Sequence, residues 1–243
     1  MEIARASARS VRVLVLGYNF LVNRVSIHID GANFYLLALK PFGIQDANFD
    51  YEKFILMLAN GRSIAPHGKR FYIGTVPEKE GDLKSKAAVS RQTSLLTRFR
   101  DGGWKIGTSI HKKKIETILV DYRVEDWKNL LEKGVSSFTF EKYREKGIDV
   151  KLATDLIVGA VDNQYDTALI VSSDTDLIPA IDWVRSRGKK VEYVGFSIPH
   201  PTNPKKDIKP TVAMVDRTDA PSRILIESDL RGLIMGQQPL KLE

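Results

Sequence analysis

Cysteine is absent from the 243 residues, and histidine occurs only four times. The lack of thiols excludes a disulfide framework and a thiolate zinc site, and four scattered histidines do not favour a zinc enzyme. No apolar run reaches the roughly 20 residues that span a bilayer, so we expect no membrane-spanning segment. The 43% of hydrophobic residues suffice for the core of one α/β domain, which excludes a disordered chain.

The two ends of the chain differ in composition from its centre. The first two dozen residues combine Arg5, Arg9 and Arg12 with an apolar run at residues 13–22. This pattern resembles a secretory signal but lacks a small-x-small cleavage site, so we expect an N-terminal extension and a cytoplasmic protein. We expect the main domain at residues 25–197. Residues 198–243 begin with a proline-rich loop, and we expect their final helix to pack on that domain.

Basic residues exceed acidic ones, with 37 Lys and Arg against 30 Asp and Glu, and the formal net charge is +7. Residues 61–114 contain thirteen basic and four acidic side chains, so the rest of the chain is close to neutral. Such a stretch favours a polyanionic partner, and a solvated surface is the alternative. Three aromatic side chains of this stretch could either stack on bases or pack in the core: Phe71, Tyr72 and Trp104.

Apolar periodicity predicts strands and helices in alternation. Strands are predicted at residues 25–30, 69–75, 104–110, 167–174 and 189–196. Helices are predicted at residues 48–61, 84–100, 150–161, 176–188 and 222–233. Residues 123–148 are charged and weakly periodic, and we expect an insertion or an irregular connection there. Strands that alternate with helices imply an α/β fold with a mostly parallel sheet.

Five aspartates fall at positions that a parallel sheet would bring to one edge. Asp30 and Asp174 end predicted strands, and Asp176 opens the next helix. Asp149 begins a helix that runs back along the sheet, and Asp155 follows about 9 Å further along its axis. Each could instead be a helix cap or an ordinary turn residue. Two carboxylates about 4 Å apart repel by about 4 kcal/mol at an effective dielectric of about 20. Three or more together would therefore lose ionisation or need a cation, and Mg²⁺ or Mn²⁺ suits such ligands.

Three segments carry a resemblance to a known family: IDGANFY at residues 29–35, KGIDVKLATDL at residues 146–156 and LIVSSDTDLIPAI at residues 169–181. Their order and spacing resemble the signature segments of the NYN domain family, a LabA-like group related to PIN-domain ribonucleases. The closing S-x-x-L-x-x-x-D helix of that family is similar to the pattern of Ser222, Leu225 and Asp229. The resemblance implies a PIN-like, Rossmann-like three-layer sandwich with a central mostly parallel sheet, and metal-dependent cleavage of RNA.

The resemblance also assigns site residues by position. The matching polar residues are Asp30 and Asn33 in the first segment, Asp149 and Asp155 in the second, and Asp174 and Asp176 in the third. We expect Mg²⁺ or Mn²⁺ as the cofactor, with Asp30, Asp155 and Asp174 as ligands, Asp149 and Asp176 holding metal-bound water or a second ion, and Asn33 orienting a ligand. The third segment of the family usually reads S-G-D-x-D, whereas this chain has Ser173 at the glycine, which leaves the shape of that turn open.

The expected function is that of a metal-dependent ribonuclease, an endonuclease, that acts on single-stranded RNA. Candidates for contact with the RNA phosphates are Lys84, Lys86, Arg91, Lys112, Lys113 and Lys114. The oligomeric state is open, a homodimer included. The main alternative is a non-catalytic RNA-binding or regulatory protein with the same fold. A phosphatase or a glycosyltransferase that uses the Asp174-Thr-Asp176 pair is a weaker alternative, because neither class explains the first segment.

Histidine adds little to these candidates. His28 alternates in register with Asp30 along the first predicted strand, so it could approach the site. A histidine packed in the core is the interpretation that we favour.

Overall fold

Strands and helices alternate along residues 23–78, 81–109, 112–144 and 146–235, which are the residues that the computed structural model describes. The strands are β1 (Arg24–Asp30), β2 (Ser63–Gly74), β3 (Lys105–Ser109), β4 (Lys112–Leu119), β5 (Ser137–Arg144), β6 (Thr167–Val171), β7 (Lys190–Phe196) and β8 (Arg223–Leu225). The helices are α1 (Gly31–Phe34), α2 (Tyr51–Ala59), α3 (Leu83–Asp101), α4 (Trp127–Glu132), α5 (Ile148–Val161), α6 (Ile178–Ser186), α7 (Val212–Arg217) and α8 (Glu227–Arg231). Among these residues, no helix has the length and apolar character needed to cross a membrane. The extension predicted for residues 1–24 lies outside the described residues except for its last two.

The central sheet has six strands in the order β3-β2-β1-β6-β7-β8 within the described part of the chain. Every neighbouring pair in this sheet is parallel, which confirms the mostly parallel sheet predicted from the sequence. The chain builds outward from β1 to one side through β2 and β3, and then to the other side from β6 onward. The strand order therefore reverses between β1 and β6. Open α/β sheets bind their ligands at such a switch point, beyond the carboxyl ends of the strands.

Side chains that alternate along β1 divide the core into two layers. Ile27 and Ile29 are fully buried in one layer, which Phe34 of α1 and the apolar faces of α2 and α3 complete. The other layer lies under α5 and α6, where Leu152 and Ile181 are fully buried. Helices thus cover both faces of the sheet, and the fold is the three-layer α/β sandwich that the resemblance implies. Burial of each large apolar side chain contributes about 1.5–3 kcal/mol.

One prediction of local structure is partly right and another is wrong. Residues 123–148 belong to an insertion outside the central sheet, as one of the two predicted alternatives has it, but they are not irregular, since they contain α4, the strand β5 and the first residue of α5. The predicted final helix at residues 222–233 is shorter, because Arg223–Leu225 instead form β8 beside the outer edge of β7. Pairing with the open edge of β7 provides hydrogen-bond partners for backbone groups of residues 223–225, as a helical turn would. The Leu230 side chain of α8 is fully buried in the core.

The aromatic residues of the basic stretch belong to the core. Phe71, Tyr72 and Trp104 are each at most 5% exposed. The rings of Phe99 and Trp104 stack with their centroids 4.7 Å apart. Of the two interpretations left open by the sequence, core packing is therefore correct for these three side chains.

Candidate active site at the carboxyl edge of the sheet

Asp30 lies at the carboxyl end of β1, where hydrogen bonds from α1 and from the turn after β6 hold its carboxylate. The backbone N–H of Asn33 donates to its Oδ1 at 3.1 Å, so the carboxylate caps the short helix α1. The hydroxyl of Ser172 donates to its Oδ2 at 3.1 Å. The residue is only 6% exposed. These contacts fix the orientation of the carboxylate before any ligand arrives.

The turn that follows β6 brings two further aspartates to the same edge. The N–H of Asp174 donates to Oγ of Ser172 at 3.2 Å, and the N–H of Asp176 donates to Oδ1 of Asp174 at 2.8 Å. The side chain of Asn33 accepts the N–H of Ser173 at 3.1 Å, which joins the ends of β1 and β6. The two central strands therefore present Asp30 and Asp174 on either side of the switch point.

Serine is accommodated without strain at the position where the family usually has glycine. Ser173 is not among the residues with positive φ, so its backbone does not need the conformation that favours glycine. Its hydroxyl lies 2.8 Å from the hydroxyl of Tyr193, and its carbonyl accepts a hydrogen bond from the Thr211 hydroxyl at 3.3 Å. The departure from the family pattern thus leaves the turn intact and adds contacts to it.

Asp149 reaches this edge from the first turn of α5. Partial desolvation raises its pKa, and the negative charges of Asp174 and Asp176 raise it further. Neighbouring carboxylates disfavour the charged form of a carboxyl group, and its pKa rises. The repulsion indicates that three acids from two elements share one region of the edge.

Asp155 lies further along α5 and makes different contacts. The hydroxyl of Tyr72 donates to its Oδ2 at 2.9 Å, and Nη1 of Arg70 lies 3.1 Å from the same oxygen. Another nitrogen of Arg70 donates to Gln164 at 2.9 Å. Asp155 is thus linked to the face of the sheet, and the ligand role predicted for it stays a prediction. The sequence did not reveal Arg70 as its partner, because the pairing depends on how α5 lies across β2.

His28 is part of the buried polar chain that leads to Asp155. It is fully buried, with Nε2 at 3.0 Å from the Ser26 hydroxyl and Nδ1 at 3.2 Å from the Tyr72 hydroxyl. Burial lowers its pKa from 6.5 to about 3, and the charge of Arg70 contributes to the shift. The interpretation of His28 as a packed core histidine is therefore correct.

We expect this histidine to make the fold acid-sensitive. Unfolded His28 takes up a proton at its ordinary pKa, whereas folded His28 stays neutral, so its contribution to stability is present above about pH 6.5 and is lost as the pH falls toward 3. The free energy of unfolding should fall by about 2 kcal/mol between about pH 7 and about pH 4.5 because of this group. Urea unfolding at the two pH values measures the loss. If His28→Gln shows the same pH dependence as the wild type, the assignment to His28 is incorrect.

The residues predicted to contact RNA lie on α3 and β4, the elements that follow strands β2 and β3 at the carboxyl edge of the sheet. Lys84 and Lys86 are exposed in the first two turns of α3, which follows the carboxyl end of β2. Arg91 of the same helix lines a cleft of about 450 Å³ together with Tyr35 and Gln92. The side chain of Lys112 lies outside the described residues. Lys113 pairs with Glu141 at 2.5 Å and Lys114 with Glu116 at 3.6 Å, so part of their charge is compensated.

The donor set at the edge suits a hard divalent cation. Among the described ranges, no three His, Asp or Glu side chains converge closely enough to hold an ion together. Mg²⁺ does not require such a set, because it keeps several waters and binds proteins through one or two carboxylates and substrate phosphates. The repulsion that raises the pKa of Asp149 is also what a dication would relieve. The chemistry of these carboxylates is therefore compatible with Mg²⁺ or Mn²⁺.

Comparison with known proteins identifies the family of the chain. A crystal structure of a protein of unknown function from Vibrio parahaemolyticus is similar to the chain, with 16% sequence identity and a TM-score of 0.45 over 84% of this chain and 92% of that one. None of the curated proteins that were compared with the chain matches it. The family model for the NYN domain matches residues 24–209, a range that contains the three predicted segments. The chain therefore belongs to the NYN domain family.

Proposed function

We propose that the protein is a ribonuclease that depends on Mg²⁺ or Mn²⁺ and hydrolyses phosphodiester bonds at the carboxyl edge of its sheet. The observation that carries this proposal is the gathering of Asp30, Asp149, Asp174 and Asp176 at the switch point, with the pKa of Asp149 raised by its acidic neighbours. Membership of the NYN domain family, whose fold resembles that of PIN-domain ribonucleases, supports the same activity.

Each residue of the edge has a role that follows from its contacts. A divalent ion, when bound, supplies a Lewis acid and lowers the pKa of a water molecule for attack on the phosphate. Asp30 is buried and accepts hydrogen bonds from Asn33 and Ser172, which suits a fixed ligand. Asp174 is half-buried and Asp149 and Asp176 are exposed, so these three can meet an incoming phosphodiester and its waters. Asn33 links the ends of β1 and β6, because its side-chain oxygen accepts the N–H of Ser173.

The substrate proposed is single-stranded RNA, and its phosphates would lie along the basic segments beyond the edge. Replacing Lys112, Lys113 and Lys114 together by Ala should reduce the slope of log Kd against log salt by up to about 2, at about 0.7 for each phosphate contact that is lost. Fluorescence anisotropy at several salt concentrations gives the slope.

A matched control for this charge change lies at the opposite edge of the sheet. Arg187, Lys189 and Lys190 occupy the turn from α6 into β7, and their replacement by Ala removes the same charge there. We expect the slope of this variant to stay within about 0.5 of the wild-type value. An unchanged slope in the Lys112–114 variant would reject the role of the three lysines.

The alternative function is that of a non-catalytic RNA-binding NYN protein. It is favoured by the lack, within the residues that the structure describes, of three acids that already converge on one ion position. One set of assays distinguishes the two functions. The full chain is incubated with RNA, DNA or small nucleotide phosphoesters, in Mn²⁺ and in EDTA. The ribonuclease proposal predicts cleavage of RNA in Mn²⁺ alone. RNA binding without cleavage supports the alternative, and cleavage confined to small phosphoesters indicates a phosphatase.

A further inference from the structure

Strands β4 and β5 form a separate antiparallel ribbon beside the carboxyl edge of the sheet, outside the six-stranded sheet itself. We call residues 112–144 the arm. The arm begins just after β3 ends at Ser109, and β5 ends just before α5 begins at Ile148. Both connections lie at the carboxyl edge, and the second leads directly to Asp149. The base of the arm is therefore close to the carboxylates, and strands of eight residues extend it by roughly 25 Å.

One face of the ribbon combines aromatic rings with lysines. Residues opposite each other in the ladder share a face, and the register pairs Lys114 with Lys142, Glu116 with Phe140, and Ile118 with Phe138. Phe138 is 42% exposed and Phe140 is 40% exposed. A two-stranded ribbon has only marginal stability alone, so a partner that covers these rings would stabilise it. We call the side chains of Lys114, Ile118, Phe138, Phe140 and Lys142 the aromatic face.

The charge of this face selects the kind of partner. Lys114 and Lys142 share the single carboxylate of Glu116, at 3.6 and 3.5 Å, so the face keeps a positive excess. At the base of the ribbon, Lys112 pairs with Arg144 in the ladder, and the two strands together contain five basic and two acidic residues. On the opposite face Lys113 is neutralised by Glu141, and the exposed large apolar residues Ile115 and Leu119 are aliphatic. The ring of that face is Tyr143, which lies opposite Lys113 at the base of the ribbon and is half-buried. With two exposed rings and a positive excess, the aromatic face therefore complements a polyanion with flat apolar groups better than its reverse does.

We propose that the aromatic face holds single-stranded RNA that extends beyond the cleavage site, with bases stacked on Phe138 and Phe140 and phosphates near Lys114 and Lys142. The inference rests on the proposed function, because it names the surface that guides the substrate to the carboxylate edge. Aromatic rings stack on any unpaired base, so this contact tolerates many sequences. A duplex cannot use it, since its bases already stack on one another. The arm thus favours unpaired RNA.

The test measures RNA binding by the full chain without cleavage. A fluorescent oligouridylate of about 16 nucleotides, near the upper end of site sizes for such surfaces, is titrated in EDTA. Phe138→Leu with Phe140→Leu keeps the apolar contacts of the ribbon but removes the rings, and we expect binding about tenfold weaker or worse. Phe138→Tyr with Phe140→Tyr keeps both rings and should bind within about twofold of the wild type.

The opposite face provides the matched control. Ile115→Ala with Leu119→Ala removes exposed apolar side chains from the same two-stranded ribbon without touching a ring. We expect its RNA affinity to stay within about twofold of the wild type. If the leucine pair and this control bind RNA equally well, the aromatic face does not contact RNA and the inference fails.

A second copy of the chain is the other occupant to consider, and light scattering identifies it. A wild-type dimer that the leucine pair dissociates, with RNA affinity unchanged, would assign the aromatic face to self-association and overturn the inference.

Failure of this inference can be told apart from failure of the proposed ribonuclease function. Loss of binding in the leucine pair with no Mn²⁺-dependent cleavage by the wild type leaves an RNA-holding arm on a non-catalytic protein. Wild-type cleavage with unchanged binding in the leucine pair leaves a ribonuclease without this role for its arm.

Discussion

We expect Asp174→Asn to slow the Mn²⁺-dependent cleavage of RNA by roughly 10²–10³-fold, the usual cost of removing one preorganised charge-stabilising group. Asp174 lies at the switch point between β1 and β6, where its N–H donates to the hydroxyl of Ser172. Its carboxylate is close enough to Asp149 to raise the pKa of that residue. Asparagine keeps the shape and an oxygen that accepts the N–H of Asp176, so the fold should be unaffected. Single-turnover rates with saturating enzyme measure the loss.

Asp155→Asn is the matched control for this prediction. Both substitutions remove one negative charge, but Asp155 is held by Tyr72 and Arg70 on the face of the sheet. If Asp155 acts on the site only through its neighbours, Asp155→Asn should change activity by about tenfold or less. A loss as large as that of Asp174→Asn would mean that Asp155 is a ligand, as the family resemblance implies, and that the grouping of the four edge carboxylates is incomplete.

The largest expected effect on stability comes from Phe34→Ala, at about 3–5 kcal/mol. Phe34 ends α1 and is fully buried. The centroid of its ring lies 5.1–5.8 Å from the ring centroids of Phe49, Tyr51, Phe54 and Phe196. Truncation removes these contacts and leaves a cavity that neighbouring large rings cannot fill without moving. Urea unfolding monitored by circular dichroism gives the free energy of unfolding.

Leu36→Ala provides the comparison for this loss. Leu36 lies two residues away in the adjoining helical turn but is 52% exposed, so its truncation should change the free energy of unfolding by about 0.5 kcal/mol or less. Losses of similar size in the two variants would contradict the packing described for α1. Because α1 also positions Asn33 next to the site, Phe34→Ala should reduce RNA cleavage as well.

The elements that the sequence predicts best are those with strong local periodicity. The strands β1 and β6 and the helices α2, α3 and α5 lie where the apolar spacing predicts them, because each buries a continuous stripe or run. The arm gives only a short signal of this kind, at Phe138 and Phe140, because most of its ribbon is exposed and charged residues interrupt its apolar positions. Strand β8 was missed for another reason. Its partner β7 is distant in sequence, and pairing with it is favoured over helix formation only in the folded chain.

The candidate site was predictable as far as topology determines it. Asp30 and Asp174 follow parallel strands that had to end at one edge, and Asp149 opens a helix that had to start there. The contacts that hold these residues were not predictable. The pairing of Asp155 with Arg70, and of Ser173 with Tyr193 and Thr211, depends on side-chain positions across different elements. The ligand roles of the aspartates stay predictions.

One measurement tests the central claim most directly: the rate at which the wild-type chain cleaves a defined single-stranded RNA, with Mn²⁺ and then with excess EDTA. If the carboxylate edge is a metal-dependent nuclease site, defined fragments appear in Mn²⁺, disappear in EDTA and return when Mn²⁺ is restored. Cleavage that persists in EDTA, or the absence of cleavage in both Mn²⁺ and Mg²⁺, would contradict the account.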